Sequence, residues 1–199
     1  MDKNEIMKKD LNKKNKNIGG YTLIETMIAL AIFLIVIVIG IGALLNAYTI
    51  NKKSQDMRSI MDGLSFTMED MSRNIRTGYD YECLKDIKFT GTAVSCDSGI
   101  GIAFEYSGGN VGDSHDQWVY FIQGGKLFRS TDGLNNSVQM TPDEVSLNES
   151  TNNFSIIGAE ASDKIQPLVI IRLVGTITSK GVETPFSLET AISQRKSDS

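Results

Sequence analysis

Charge is missing from the stretch between Thr26 and Asn51, and the whole chain holds only one His, two Cys and one Trp in 199 residues. Each scarcity removes a class of function. His115 alone cannot supply an H-E-x-x-H zinc site, Cys83 and Cys96 cannot supply paired C-x-x-C motifs, and no serine sits in a G-x-S-x-G nucleophile elbow. Enzyme activity and a bound cofactor are therefore not expected. Asp113, His115 and Asp116 share a glycine-bounded loop, but EF-hand spacing is absent and no metal site is expected. No basic patch with interleaved aromatics occurs, and the net charge is −4, which argues against nucleic-acid binding.

What fills the uncharged stretch is apolar. From Met27 to Leu45 there are only apolar side chains and two glycines, enough to cross a hydrocarbon layer about 30 Å thick. Lys8, Lys9, Lys13, Lys14 and Lys16 precede the run, against Lys52, Lys53 and Arg58 after it. This bias predicts a cytoplasmic N-terminus and an exported C-terminal part. A secretory signal would have an apolar segment of about 7 to 15 residues ending in a small-x-small cleavage site. The run here is longer, and Ala43-Leu44-Leu45-Asn46-Ala47-Tyr48 has its small residues at the wrong spacing. A cut ahead of the run fits better than one behind it.

Directly ahead of the run stands Gly19-Gly20-Tyr21-Thr22-Leu23-Ile24-Glu25. A Gly-Gly pair reads by itself as a hinge, but a residue without Cβ also gives a protease access to the backbone. Glu25 is costly beside an apolar span, about 2.5 to 3.5 kcal/mol for a carboxylate at mid-helix, and such a residue usually marks function. Its place at the end of the run softens that cost. A second reading is a capping box, with Thr22 as N-cap and Glu25 reaching back to a free amide.

These residues, with the basic leader and the helix behind them, resemble the type IV pilin and pseudopilin family. The resemblance implies that a prepilin peptidase/methyltransferase cuts between Gly20 and Tyr21 on the cytoplasmic side and N-methylates the new Tyr21 amine. It implies that Glu25 docks against the N-terminal amine of a neighbouring subunit, in a filament core where low dielectric strengthens the pairing and sets register. Implied partners are other pilin or pseudopilin subunits, an inner-membrane assembly platform and membrane lipid before assembly. Implied location is a single pass through the inner membrane, then a type IV pilus or type II secretion pseudopilus. Where many pilins have a proline in the hydrophobic half, this chain has Gly40 and Gly42. Local melting and close helix packing both fit them.

Removing the leader, with six lysines against Asp2, Glu5 and Asp10, takes +3 away and leaves −7. About 150 residues remain beyond the apolar run, an ordinary domain size. Met57, Ile60, Met61, Leu64, Met68, Met71 and Ile75 then recur at three- and four-residue steps, the apolar stripe of a helix facing a core. An unbroken helix from Thr22 to Ile75 would span about 80 Å, weakened locally at Gly63. The expected boundaries are leader 1–20, spanning helix 21–51, amphipathic continuation 52–76 and exported β domain 77–199.

After Arg76 the chain reads as a Gly-, Ser- and Asp-rich connection, then as strands at Gly101 to Tyr106, Gln117 to Ile122, Lys126 to Ser130, Leu168 to Thr178 and Pro185 to Ser193. Gln123-Gly124-Gly125-Lys126 and Ser179-Lys180-Gly181 supply hairpin turns. The expected fold is α+β: a long N-terminal helix, its first half membrane-embedded, packed on an antiparallel sheet, which is also the pilin architecture. Gln166-Pro167-Leu168 and the closing Phe186 to Arg195 resemble the J-type minor pseudopilins. Cys83 and Cys96, placed outside the cytoplasm, either form a bridge contributing about 3 kcal/mol or remain free and buried. The resulting reading is a non-enzymatic minor pilin or pseudopilin. The alternative is a permanently anchored single-span protein with an exported ligand-binding β domain.

Overall fold

The structure is a computed structural model that describes residues 19–110, 112–149, 153–160 and 165–195. The leader read over residues 1–20 lies outside them except for Gly19 and Gly20. One helix, α1 (Leu23–Thr77), crosses from a first compact unit ending at Ile50 into a second that comprises Asn51–Ser199. In the first unit every described residue is exposed. Its apolar window has a mean hydropathy of 3.2, so the helix is long and apolar enough to cross a membrane. Thr22 begins the helix as expected of an N-cap, its Oγ1 accepting from the Glu25 amide at 3.4 Å.

Among its described residues the second unit holds α1 from Asn51 onward and ten strands in two antiparallel sheets. Leu64, Met68, Met71 and Ile75 are buried, and Met57, Ile60 and Met61 pack partly buried beside them. The predicted stripe is thus the helix's core face. Thr67 joins it, its hydroxyl donating to Gly63 O at 3.0 Å, the back-bond that lets a polar side chain sit in an apolar stripe. Tyr81 closes the helix: its buried hydroxyl is 2.6 Å from both Ile75 O in the last turn and Gly78 O just beyond it.

The first sheet runs β1 (Tyr79–Leu84), β3 (Gly101–Glu105), β4 (Trp118–Gln123), β5 (Lys126–Ser130), β6 (Val138–Gln139). The second runs β10 (Val182–Ser193), β9 (Leu168–Ser179), β8 (Phe154–Ile157), β2 (Cys96–Gly99), with β7 (Val145–Leu147) also paired to β9. The shared core joins the helix stripe to Phe104, Tyr120 and Leu127 of the first sheet and Phe154, Val169, Ile171 and Leu173 of the second. A smaller cluster, Leu84, Ala103, Val119 and Phe121, lies elsewhere on the first sheet with Ile87 and Phe89 packed against it.

The long helix and the antiparallel pairing match the α+β expectation, but the expected sheet is two sheets. The expected connection after Arg76 is also corrected: Gly78 is followed at once by β1, and β2 begins at Cys96. The reason is local. Asp80 takes a positive φ of 54°, and the β1–β3 register shifts between Tyr79 and Glu82, so the alternation that signals a strand is broken. Both predicted hairpins form. Gln123 pairs with Lys126 across Gly124 and Gly125, and Ser179 pairs with Val182 across Lys180 and Gly181, with φ positive at all four turn positions.

Candidate functional site

Chemistry at the N-terminal segment begins with access. The Gly20–Tyr21 peptide lies ahead of the first helical residue, so it is free of the helical ladder, and Gly19 and Gly20 are exposed with nothing within 4 Å of where a Cβ would stand. Tyr21 is 81% exposed. A protease can reach both sides of this bond without unwinding α1. Glu25 follows in the first turn, exposed, where a carboxylate interacts well with the positive end of the helix dipole. The capping box is half present: Thr22 accepts from the Glu25 amide, but among the described residues the Glu25 carboxylate has no hydrogen-bond or ion-pair partner.

Gly40 and Gly42 lie on the same uncharged helix, with nothing within 4 Å of their notional Cβ positions.

The other predicted site residues are in the second unit. Cys83 in β1 and Cys96 in β2 face each other as a disulfide pair with Cα atoms 5.9 Å apart, linking one sheet to the other. Beside them is a residue that sequence reading passed over. Glu82 is 7% exposed, and its carboxylate accepts from the amides of Thr90 (2.8 Å), Gly91 (2.8 Å) and Thr92 (3.3 Å) and from Thr90 Oγ1 (2.9 Å). It folds the loop after β1 around itself. Its only sequence signal is a lone acid between Tyr81 and Cys83.

A second carboxylate anchors the segment before β2. Glu160 accepts from Ser95 N at 2.8 Å and Ser95 Oγ at 2.5 Å, and these bonds hold its carboxyl below the ordinary value. In the loop before β4, His115 and Asp113 contact each other at 3.2 Å, while Asp116 turns to accept from the Asn110 amide at 2.7 Å. The three side chains grouped in the sequence therefore do not converge. Among the described residues no three His, Cys, Asp or Glu side chains form a metal-ligand set.

Comparison with known proteins adds one match. The family model of the prokaryotic N-terminal methylation motif covers residues 15–41, which takes in Gly20, Tyr21 and Glu25 and the first part of the uncharged helix. This supports a type IV pilin-like N-terminus with a membrane-anchoring helix. No curated protein and no solved structure gives a match.

Proposed function

We propose that the chain is a non-enzymatic subunit of a type IV pilus or type II secretion pseudopilus, with a minor position in the filament or its tip. The carrying observation is the coincidence, within residues 15–41, of the methylation motif, an accessible Gly20–Tyr21 bond and an apolar helix that begins with one carboxylate, Glu25, without a partner among the described residues.

In this reading a prepilin peptidase/methyltransferase cuts after Gly20 and methylates Tyr21. The cut removes the lysine-rich leader and leaves a cationic amine four residues from Glu25 in sequence. Before assembly, α1 ahead of Asn51 rests in the inner membrane with the β domain outside. The assembly platform then moves it from lipid to protein surroundings, which the apolar surface permits because both are poor in water. In the filament Glu25 pairs with the Tyr21 amine of a neighbour. The pair is weak in water and strong in a dry core, so it selects register at assembly and leaves the membrane-stored state free. The C-terminal resemblance to J-type minor pseudopilins is what supports the minor role in this reading.

Glu25→Ala tests the docking role. Processing and membrane insertion should persist, while incorporation into filaments, followed by crosslinking to neighbouring subunits, should fall sharply. Normal incorporation would remove Glu25 from the account.

A further inference from the structure

β10 is an edge strand of the second sheet, and it pairs with β9 one residue for one from Val182 to Ser193 without a bulge. Ser179 and Val182 flank a two-residue turn with positive φ at Lys180 and Gly181, so they exchange hydrogen bonds as a narrow pair. From Val182 onward, even-numbered residues therefore aim their backbone groups at β9, and odd-numbered ones aim theirs outward. The bonds just past the strand keep this alternation. Gln194 N donates inward to Pro167 O at 3.0 Å, and Arg195 N donates outward to Arg76 O at 2.8 Å.

The outward row has a stop at each end. Pro185 has no N–H, and the Arg195 N–H is spent on the end of α1. Between them Ser187, Glu189, Ala191 and Ser193 present their N–H and C=O groups along about 23 Å of strand. No described residue bonds to these groups. Exposed edges are normally guarded by lysine, proline, a bulge or a covering element. This stretch has none of them, and its one charge is turned toward β9, where Glu189 pairs with Arg172 at 2.7 Å. On the core side of the same stretch Phe186 and Leu188 are only partly buried.

An open edge by itself names no occupant, but the ground beyond Ser193 does. A cavity of about 430 Å³ is lined by Glu69, Ser72, Arg73, Arg76, Thr77 and Arg195. Three of the chain's six arginines thus stand around one acid, in a chain of net charge −4. Arg73 reaches Glu69 only at 4.0 Å, and Arg76 and Arg195 form no ion pair among the described residues. Guanidinium groups favour carboxylates. Antiparallel pairing with a second copy is set aside on the filament reading above. α1 from Asn51 runs in the same sense as β10, with Asp56 against Lys180 at 3.3 Å at one end and Arg76 joined to Arg195 at the other. Two β10 strands paired antiparallel would set those helices in opposite senses, whereas subunits drawn from one membrane share one sense.

We propose that the outer edge of β10 from Ser187 to Ser193 accepts an extended segment of a different protein as a further strand, with a carboxylate of that segment seated in the arginine-lined cavity. Backbone bonds to the row supply attachment, and side chains at alternate positions cover Phe186 and Leu188. The acid at one end fixes which way the segment lies.

Full-length protein in its native membrane tests this, with a photo-crosslinking benzophenone side chain placed at Ser187 or, separately, at Ala191. Both positions should capture one and the same segment of one partner, with apolar residues at alternate positions and Asp or Glu at the end beyond Ser193. Ala191→Pro puts proline at an outward position, as native Pro185 already is. It should leave the melting temperature unchanged and lower capture from Ser187 about tenfold. Arg76→Glu combined with Arg195→Glu should lower capture about tenfold as well. Should Ala191→Pro fail to fold, the arginine variant, which alters exposed side chains only, carries the comparison. The proposal is overturned by no capture at either position, by capture of a second copy of this chain, or by capture that a folded variant leaves intact. The N-terminus is read on the same samples. Chains processed at Tyr21 without capture sink the edge proposal alone, and capture by chains that start at Met1 sinks the filament reading alone.

Discussion

Glu82 shows how one side chain can replace a stretch of regular structure. The loop after β1 has little ladder of its own, and three of its amides end on this carboxylate. Glu82→Ala leaves those donors buried without acceptors and should cost about 3 kcal/mol in urea unfolding of the second unit, since bonds to a charged group are worth about 1.5 to 3 kcal/mol each but overlap here. Glu160 makes a pH-dependent counterpart. Its folded-state carboxyl lies below the ordinary 4.5, first because of the Ser95 hydroxyl and then the Ser95 amide. The unfolded chain therefore binds the proton more readily. The Glu160 contribution is present above pH 4.5 and is lost as pH falls through the depressed folded value. Stability measured by denaturant at a series of acid pH values should decline over that window, and Glu160→Gln should flatten the decline. Neither residue announces its role in the sequence, because an acid that serves distant amides looks like any surface acid. Gly20, Tyr21 and Glu25 are legible there because their meaning depends on neighbours in the chain.

Elements divide along the same line. The helix stripe from Met57 to Ile75 and both glycine hairpins are local patterns, and they appear in the structure at the predicted residues. The long strands β9 and β10 pair residue for residue over their whole length, and each was legible from its β-branched content. The strands β2, β6, β7 and β8 were not, since each has only two to four residues and owes its existence to a partner elsewhere in the chain. The division into two sheets is likewise a tertiary fact. Cys83 and Cys96 matter most at this scale, because their bond joins β1 to β2 and therefore one sheet to the other. If the protein from its native membrane carries that bond, alkylation with and without prior reduction will give different masses. Replacing both cysteines by serine should then lower stability by about 3 kcal/mol. Equal masses would mean that the sheets are held by packing alone.

At the scale of the whole molecule, two kinds of surface are joined in one chain. The helix ahead of Asn51 buries none of its apolar window within the chain, whereas the second unit has a closed core shared by helix and sheets. The first is a surface made for surroundings other than water, and the motif over residues 15–41 accounts for its beginning. The most direct measurement is the N-terminal sequence and intact mass of protein extracted from its native membrane, run beside a Gly20→Val control. The account predicts a chain that starts at N-methylated Tyr21 and a control that keeps its leader. A start at Met1 in both would contradict it and would leave a permanently anchored protein with an exported β domain.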